Sequence, residues 1–192
     1  RFDVPVQDVT IYLVAQHYHS YNIRLFGTIE GVPIYVKACV GGQDVTPQID
    51  LDELFQGVVS LARPPAGVAN TYITASSASK NILKLLTSDR ELTFAPGPSG
   101  LPGGYPIRLS ASGAELALPE DLTLDEAIEI NEAGQRAEGV ERIEDDGTVV
   151  FTDISYEVMK EIVGIDCPRL PLEHCEEIAY ELGRKLAELG ER

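Results

Sequence analysis

Basic residues are scarce in this sequence. Its 192 residues include 15 Lys and Arg against 31 Asp and Glu, so the formal net charge is −16 at pH 7. A surface with this balance repels the phosphate backbone of nucleic acids and the anionic headgroups of membranes. The composition therefore excludes nucleic acid and membrane surfaces as partners.

Long apolar runs are also absent. The longest, residues 10–15 and 34–40, fall far short of the roughly 20 residues that span a bilayer. The first residues lack the basic and then apolar pattern of a secretory signal peptide. We therefore expect a soluble, cytoplasmic protein.

Cysteine is too rare to support a disulfide framework. Cys39, Cys167 and Cys175 form an odd set without a CxxC pair, so a thiolate zinc site is not indicated either. Cys39 lies within an apolar predicted strand and has no adjacent base, which favours a small core residue over a nucleophile. The sequence also lacks a GxSxG motif for a serine nucleophile.

Phosphate-binding motifs are missing as well. Residues 97–104 are rich in glycine, but neither GxGxxG nor GxxxxGK[ST] is present. Nucleotide binding by this chain alone is not expected. The sequence begins Arg1-Phe2-Asp3 without an initiator Met, in what reads as a structured region, and this predicts a fragment or an excised domain.

The hydrophobic periodicity predicts an α+β fold, with a mixed or antiparallel sheet and packed helices, in one domain over residues 1–192. The predicted strands cover residues 9–16, 23–29, 33–40, 105–110, 114–118 and 148–152. The predicted helices cover residues 51–61, 67–88, 123–130, 153–165 and 172–189. Asp50, Thr123 and Asp153 are the predicted capping residues of three of these helices.

Two of the three histidines, His17 and His19, directly follow the first predicted strand. If the strand geometry continued, both imidazoles would point to one face and could bind zinc or another divalent metal, although no third ligand is evident. One of them could instead act as an acid–base group, because imidazole titrates nearest to neutral pH. The third alternative is a histidine that only forms hydrogen bonds at a strand end.

Residues 4–20, VPVQDVTIYLVAQHYHS, resemble the stretch of the lactate/malate dehydrogenase superfamily that leads into its GEHGDS motif. The histidine of that motif is the family's catalytic acid–base. Aligned on the motif, His17 takes the place of this histidine and Ser20 that of the serine. The sequence departs from the motif at Ala15, Gln16, Tyr18 and His19.

A second segment, residues 67–72 (GVANTY), is followed by a helix of small residues and resembles the family segment in which a threonine or serine lines the substrate pocket. Thr71 is the matching position. The predicted hairpin around Gly113 and the following residues 122–130 (LTLDEAIEI) resemble the family's late hairpin and helix. The resemblance covers about residues 4–140, whereas residues 141–192, a strand and helical extension, have no counterpart.

The resemblance implies the C-terminal, substrate-binding half of a dehydrogenase that uses NAD or NADP on a 2-hydroxy or 2-oxo acid. His17 would be the catalytic acid–base, and no cofactor is expected to bind this chain alone, because the family's nucleotide-binding domain comes first. An Asp-x-x-Arg helix before the present start would orient the histidine and clamp the substrate carboxylate. A chain without these parts should be inactive by itself.

The remaining site predictions concern a small-molecule substrate. Arg24 or Arg63 could fix a carboxylate as a bidentate partner, Thr71 would lie in the pocket, and His19 and Asn22 would influence selectivity. The resemblance also implies a homo-oligomer, a dimer or tetramer, built partly from the small-residue helix. The alternative is a non-catalytic ligand-binding, metal-binding or oligomerisation domain.

Overall fold

The computed structural model describes residues 3–29, 31–61 and 68–190; for residues 58–61, 68–70 and 73 it describes the backbone only. The chain forms two compact units, Arg1–Gly134 and Gln135–Arg192. Within the described ranges, none of the helices has both the length and the apolar character needed to cross a bilayer.

Short antiparallel sheets and helices make up the first unit, which confirms the expected α+β class. Its strands are β1 (Val9–Val14), β2 (Tyr35–Val40), β3 (Gln43–Asp44), β4 (Glu91–Pro96), β5 (Gly104–Ser110) and β6 (Gly113–Leu116). Its helices are α1 (His17–Phe26), α2 (Leu51–Leu61), α3 (Val68–Lys84) and α4 (Leu124–Ala137), the last of which ends just beyond the unit.

The strands of the first unit form two sheets with the orders β1-β2-β3 and β4-β5-β6. Leu13 pairs with Val36 and Val14 with Tyr35 in the first sheet. A single bridge between Ala15 and Gly104 links the end of β1 to the start of β5. The two sheets therefore meet at the point where β1 ends and α1 begins.

One face of the first sheet packs on the hydrophobic core. The core consists of buried side chains from β1, β5 and α4 and from the loop before α4: Val14, Tyr105, Ile107, Leu109, Leu122 and Ala127. Because side chains alternate across a strand, Leu13 lies on the face opposite Val14. The sheet thus separates the core from the cleft described below.

Helix α4 begins as its sequence predicts. Thr123 and Glu126 form the capping box: the Glu126 carboxylate accepts from the Thr123 backbone N–H at 2.8 Å, and the Thr123 hydroxyl accepts from the Glu126 N–H at 3.3 Å. These two bonds satisfy backbone donors at the helix start. Asp50 likewise accepts from the Glu53 N–H at 3.0 Å and caps α2.

Residues 23–29 do not form the predicted strand. They belong largely to α1, which the Gln16 side chain caps by accepting from the His17 N–H at 2.9 Å. Gly27 ends the helix with a φ of 70°, and its N–H donates to the Ile23 carbonyl at 3.0 Å. The β-branched residues in this stretch favoured a strand, but the caps and the packing of α1 on α2 decide for a helix.

The second unit consists of a sheet of β7 (Val140–Ile143), β8 (Val149–Phe151) and β9 (Arg169–Leu170), with α5 (Asp153–Val158) and α6 (Cys175–Gly190). Thr152, and not the predicted Asp153, caps α5, because its hydroxyl accepts from the Ser155 N–H. A wide π-type turn, Met159–Val163, continues α5 toward Gly164. Lys160 donates to the Tyr156 hydroxyl at 2.9 Å and pairs with Asp166 at 2.9 Å, which ties this turn to the loop after it.

Candidate functional site

An open cleft of about 990 Å³ lies in the first unit beside the junction of β1 and α1. It is bounded by β1, β2, α1, α2, α3 and β4 and by the loop that leads into β5. Its lining residues are Ile11, Leu13, Ala15, Gln16, His17, His19, Ser20, Ile23, Arg24, Ile34, Val36, Leu54, Phe55, Thr74, Phe94, Pro96, Gly103 and Gly104. A volume of this size is at the upper end of the range for small-molecule sites.

The floor of the cleft is the outer face of the first sheet. Ile11, Leu13 and Ala15 alternate along β1 and point to this face, and Val36 lies directly opposite Leu13 on β2. Ile34 continues the floor just before β2 begins. All five side chains are apolar, so the floor offers contact area and no hydrogen bonds.

Helix α1 supplies most of the polar lining. His17, Ser20 and Arg24 all line the cleft. Arg24 follows His17 by seven positions, which is almost two full turns, so the His17 and Arg24 side chains lie on one helix face. Helical side chains lean toward the N-terminus, so Arg24 leans toward the His17 end. The structure thus brings the predicted acid–base histidine and the predicted carboxylate partner to one cavity.

The lining of the cleft differs in charge from the chain as a whole. None of the described residues that line it is acidic, although the chain carries a net charge of −16. Arg24 is exposed and has no ion pair or hydrogen bond with any described residue. An unpaired guanidinium among apolar walls attracts an anion, because carboxylates match its donor geometry.

The His19 side chain is buried, and both of its ring nitrogens form hydrogen bonds within the protein. It is 1% exposed; its Nδ1 accepts from the Gln16 N–H at 2.9 Å, and its Nε2 donates to the Pro33 carbonyl at 2.7 Å. The expectation that His17 and His19 share one face is wrong. They lie in a helix, where side chains two residues apart point in directions that differ by about 200°. His17 is exposed and His19 is buried. Among the described residues, no group of three or more His, Cys, Asp or Glu side chains is arranged to hold a metal.

The other two predicted substrate residues lie outside the cleft lining. The Asn22 amide nitrogen is buried and has no hydrogen-bond partner among the described atoms. Thr71 is exposed on α3, where Thr74, three residues later, does line the cleft. Arg63 is outside the described residues.

Two glycines allow neighbouring elements to approach each other closely near the cleft. A Cβ at Gly104 would lie 2.2 Å from Phe94 Cζ, so the missing side chain is what admits this ring. A Cβ at Gly134 would lie 2.6 Å from Gln16 Cβ and 3.1 Å from His19 Cε1, so α4 approaches the start of α1 closely. Both positions require the smallest residue for packing reasons.

The opposite face of the first sheet carries a polar clasp. Asp121 accepts from Lys37 at 2.7 Å and from the Tyr35 hydroxyl at 3.1 Å, which holds β2 to the loop before α4. The hydrogen bond from Lys37 lowers the pKa of Asp121, whereas burial and the neighbouring carboxylate raise the pKa of Tyr35. The clasp stabilises the strand that forms half of the cleft floor.

Sequence reasoning missed most of this cleft. Its walls come from segments as distant as Ile11, Leu54 and Phe94, and no local pattern joins them. The one available signal was the spacing of His17, Ser20 and Arg24, which falls on one side of a helix. The prediction of a strand over residues 23–29, which includes Arg24 but neither His17 nor Ser20, concealed it.

The chain was compared with known protein families, curated proteins and solved structures. None of the three comparisons finds a match. The cleft, its charge and its histidine therefore provide the basis for the functional argument.

Proposed function

We propose that this chain is the substrate-binding and catalytic half of an NAD(P)-dependent oxidoreductase that acts on a 2-hydroxy or 2-oxo acid. The observation that carries the proposal is the shared cleft: His17 and Arg24 lie on one face of α1 and line a cleft that has an apolar floor and no acidic lining residue among those described. The resemblance of residues 4–20 to the lactate/malate dehydrogenase superfamily supports the same function.

His17 is the proposed acid–base group. Reduction of a carbonyl group places negative charge on its oxygen, and a protonated imidazole within hydrogen-bond reach would donate a proton to that oxygen. In the reverse direction the neutral ring would remove the proton from the alcohol. Its position at the first residue of α1 leaves the ring exposed at the cleft, where a substrate can reach it.

Arg24 is the proposed partner of the substrate carboxylate. Its guanidinium has no ion pair among the described residues, so binding an acid requires no existing pair to break. The planar guanidinium can donate two hydrogen bonds to a carboxylate. A neutral ligand of the same shape would lack this interaction.

Two backbone groups that could have bound a cofactor phosphate are already used within the chain. The first N–H of α1 donates to its own cap, Gln16, and in the glycine-rich loop the Gly97 N–H donates to the Gly103 carbonyl at 2.9 Å. Neither group is open to a phosphate. The cofactor, which would supply the hydride, is assigned in this proposal to a separate nucleotide-binding domain, as the resemblance implies.

The test is His17→Asn in the full-length protein, assayed by nicotinamide absorbance with NADH or NADPH and a panel of 2-oxo acids. We expect kcat to fall by about 10²–10⁴-fold, the usual contribution of a positioned acid–base group, with an unchanged unfolding midpoint because the side chain is exposed. The matched control is His174→Asn, at an exposed histidine in the second unit. An unchanged kcat would refute the proposed role.

The same proposal includes a homo-oligomer, a dimer or tetramer, formed partly through α3. The helix contains no Asp or Glu in a chain of net charge −16, so a second copy can approach there with less repulsion than at the acidic surfaces. Tyr72, Ile82 and Leu86 are all more than half exposed on it or just after it. Contact between two copies would remove this apolar surface from water.

A non-catalytic ligand-binding domain is the second candidate. The size and apolar floor of the cleft favour it, because such a cavity can hold a ligand without any reaction. The two candidates predict different results: the oxidoreductase shows turnover that depends on His17, whereas a ligand-binding domain binds its ligand without turnover.

A further inference from the structure

We propose that the cleft takes an acid with a long apolar chain, in the class of 2-oxooctanoate, and not a short acid such as pyruvate. This inference rests on the proposed function and specifies its substrate class. It is drawn from the dimensions of the cleft and from the arrangement of its charged and apolar walls.

The apolar floor is longer than a short acid requires. From Ile11 on β1 to Ala15, the bridge residue just after it, the floor spans four residue steps, or about 13 Å at the usual rise of a strand. The second row, Ile34 and Val36, runs beside it on β2, and Phe94 adds an aromatic wall. A pyruvate-sized ligand would cover only a small part of this surface and leave the rest in water.

The polar groups of the lining are concentrated on α1. His17, Ser20 and Arg24 supply one titratable group, one hydroxyl and one cation, and the lining residues from β1 and β2 supply no polar side chain. An occupant that satisfies both sides is amphipathic: its carboxylate and oxo group face α1, and its hydrocarbon chain lies on the sheet. Arg24 has no ion pair with any described residue, so an anion suits the polar end of the ligand.

The gain from a longer chain can be estimated. Each methylene group moved from water into apolar surroundings contributes about 0.8 kcal/mol, which is about fourfold in affinity. Ordering a flexible chain offsets part of this gain. We therefore expect 2-oxooctanoate to bind at least tenfold more tightly than pyruvate, well below the limit that full burial of every added methylene would set.

The experiment is isothermal titration of the 192-residue chain with 2-oxooctanoate and with pyruvate, in the absence of any hydride donor. Arg24→Gln should weaken 2-oxooctanoate binding at least tenfold by removing the cation. Its control is Arg184→Gln, which removes the same charge from an exposed position of α6 in the second unit and should leave binding unchanged.

A second pair of variants tests the apolar floor. Ile11→Gln places an amide on it at a residue that is 58% exposed, so the fold should tolerate the change, and it should weaken 2-oxooctanoate binding several-fold without affecting pyruvate. Ile143→Gln is the matched control, because Ile143 is also 58% exposed and lies on strand β7 of the second unit. If Ile11→Gln and Ile143→Gln changed the affinity for 2-oxooctanoate by the same factor, the assignment of the floor would be overturned.

The outcomes separate this inference from the proposed function. Pyruvate binding as tight as 2-oxooctanoate binding, or no binding of either acid, would overturn the inference about chain length. Tight binding of 2-oxooctanoate combined with an unchanged kcat in His17→Asn would instead leave the ligand class in place and refute the enzymatic role.

Discussion

Gly104→Ala tests whether the cleft is shaped by the close approach of Phe94 to the backbone. The new Cβ would lie 2.2, 2.9 and 3.0 Å from three atoms of the Phe94 ring. No left-handed backbone conformation is involved at Gly104, so the effect is purely steric. The substitution therefore reports on packing where Gly104 and Phe94 both line the cleft.

The backbone at this position cannot easily move away. The Gly104 N–H donates to the Ala15 carbonyl at 3.0 Å, and the Gly104 carbonyl accepts from the Ala15 N–H at 3.4 Å and from the Asn131 side chain at 3.3 Å. The ring must move instead, and since Phe94 is 42% exposed it can move outward. Overpacking of this kind costs about 1–3 kcal/mol, and the displaced ring would alter the cleft.

The assay is chemical denaturation of the wild type, Gly104→Ala, Phe94→Leu and the double variant. Shortening Phe94 removes the colliding ring atoms, so we expect the double variant to recover at least about 1 kcal/mol of the loss, a coupling typical of residues in contact. Gly183→Ala is the control: nothing lies within 4 Å of its Cβ and it sits inside α6, so it should stabilise by about 0.5–1 kcal/mol. Additive effects of the Gly104 and Phe94 changes would refute the reasoning.

Two further predictions concern stability and assembly. Lys37 lowers the pKa of Asp121 in the folded state, so the clasp contributes stability above the unfolded carboxyl pKa of about 3.9 and loses it as the pH falls through the folded pKa; thermal unfolding of Lys37→Met should therefore show a smaller acid-induced decrease than the wild type, and equal decreases would contradict this. For assembly, Leu86→Glu places a carboxylate on a side chain that is 76% exposed just after α3, and sedimentation analysis should show a shift toward monomer. A monomeric wild type would remove the proposed oligomer.

Much of the local structure follows from the sequence because its causes are local. Asp50 and Thr123 predict the starts of α2 and α4 since a capping side chain acts on backbone groups within three residues. The hairpin of β5 and β6 follows from the turn at Gly113, whose φ is 116°. These signals need no distant partner.

The site was harder to predict because its causes are not local. The segment that contains Ile23 is apolar and β-branched enough to suggest a strand, yet it is helical because Gln16 caps it, Gly27 ends it and α2 packs on it. Because α1 begins at His17, the geometry of the first strand does not continue through the two histidines, and their side chains point in different directions. The helix turns His19 inward to the Pro33 carbonyl and leaves His17 exposed.

The amino-acid sequence by itself determines the charge balance, the α+β class, most element positions and the choice of His17 and Arg24 as candidates. Only the tertiary structure decides that β1 pairs with β2, that both candidates line one cleft, and that this cleft has an apolar floor without acidic lining among the described residues. The physical reason is range: capping and periodicity act over a few residues, whereas a cavity is formed by side chains from segments that only long-range packing brings together.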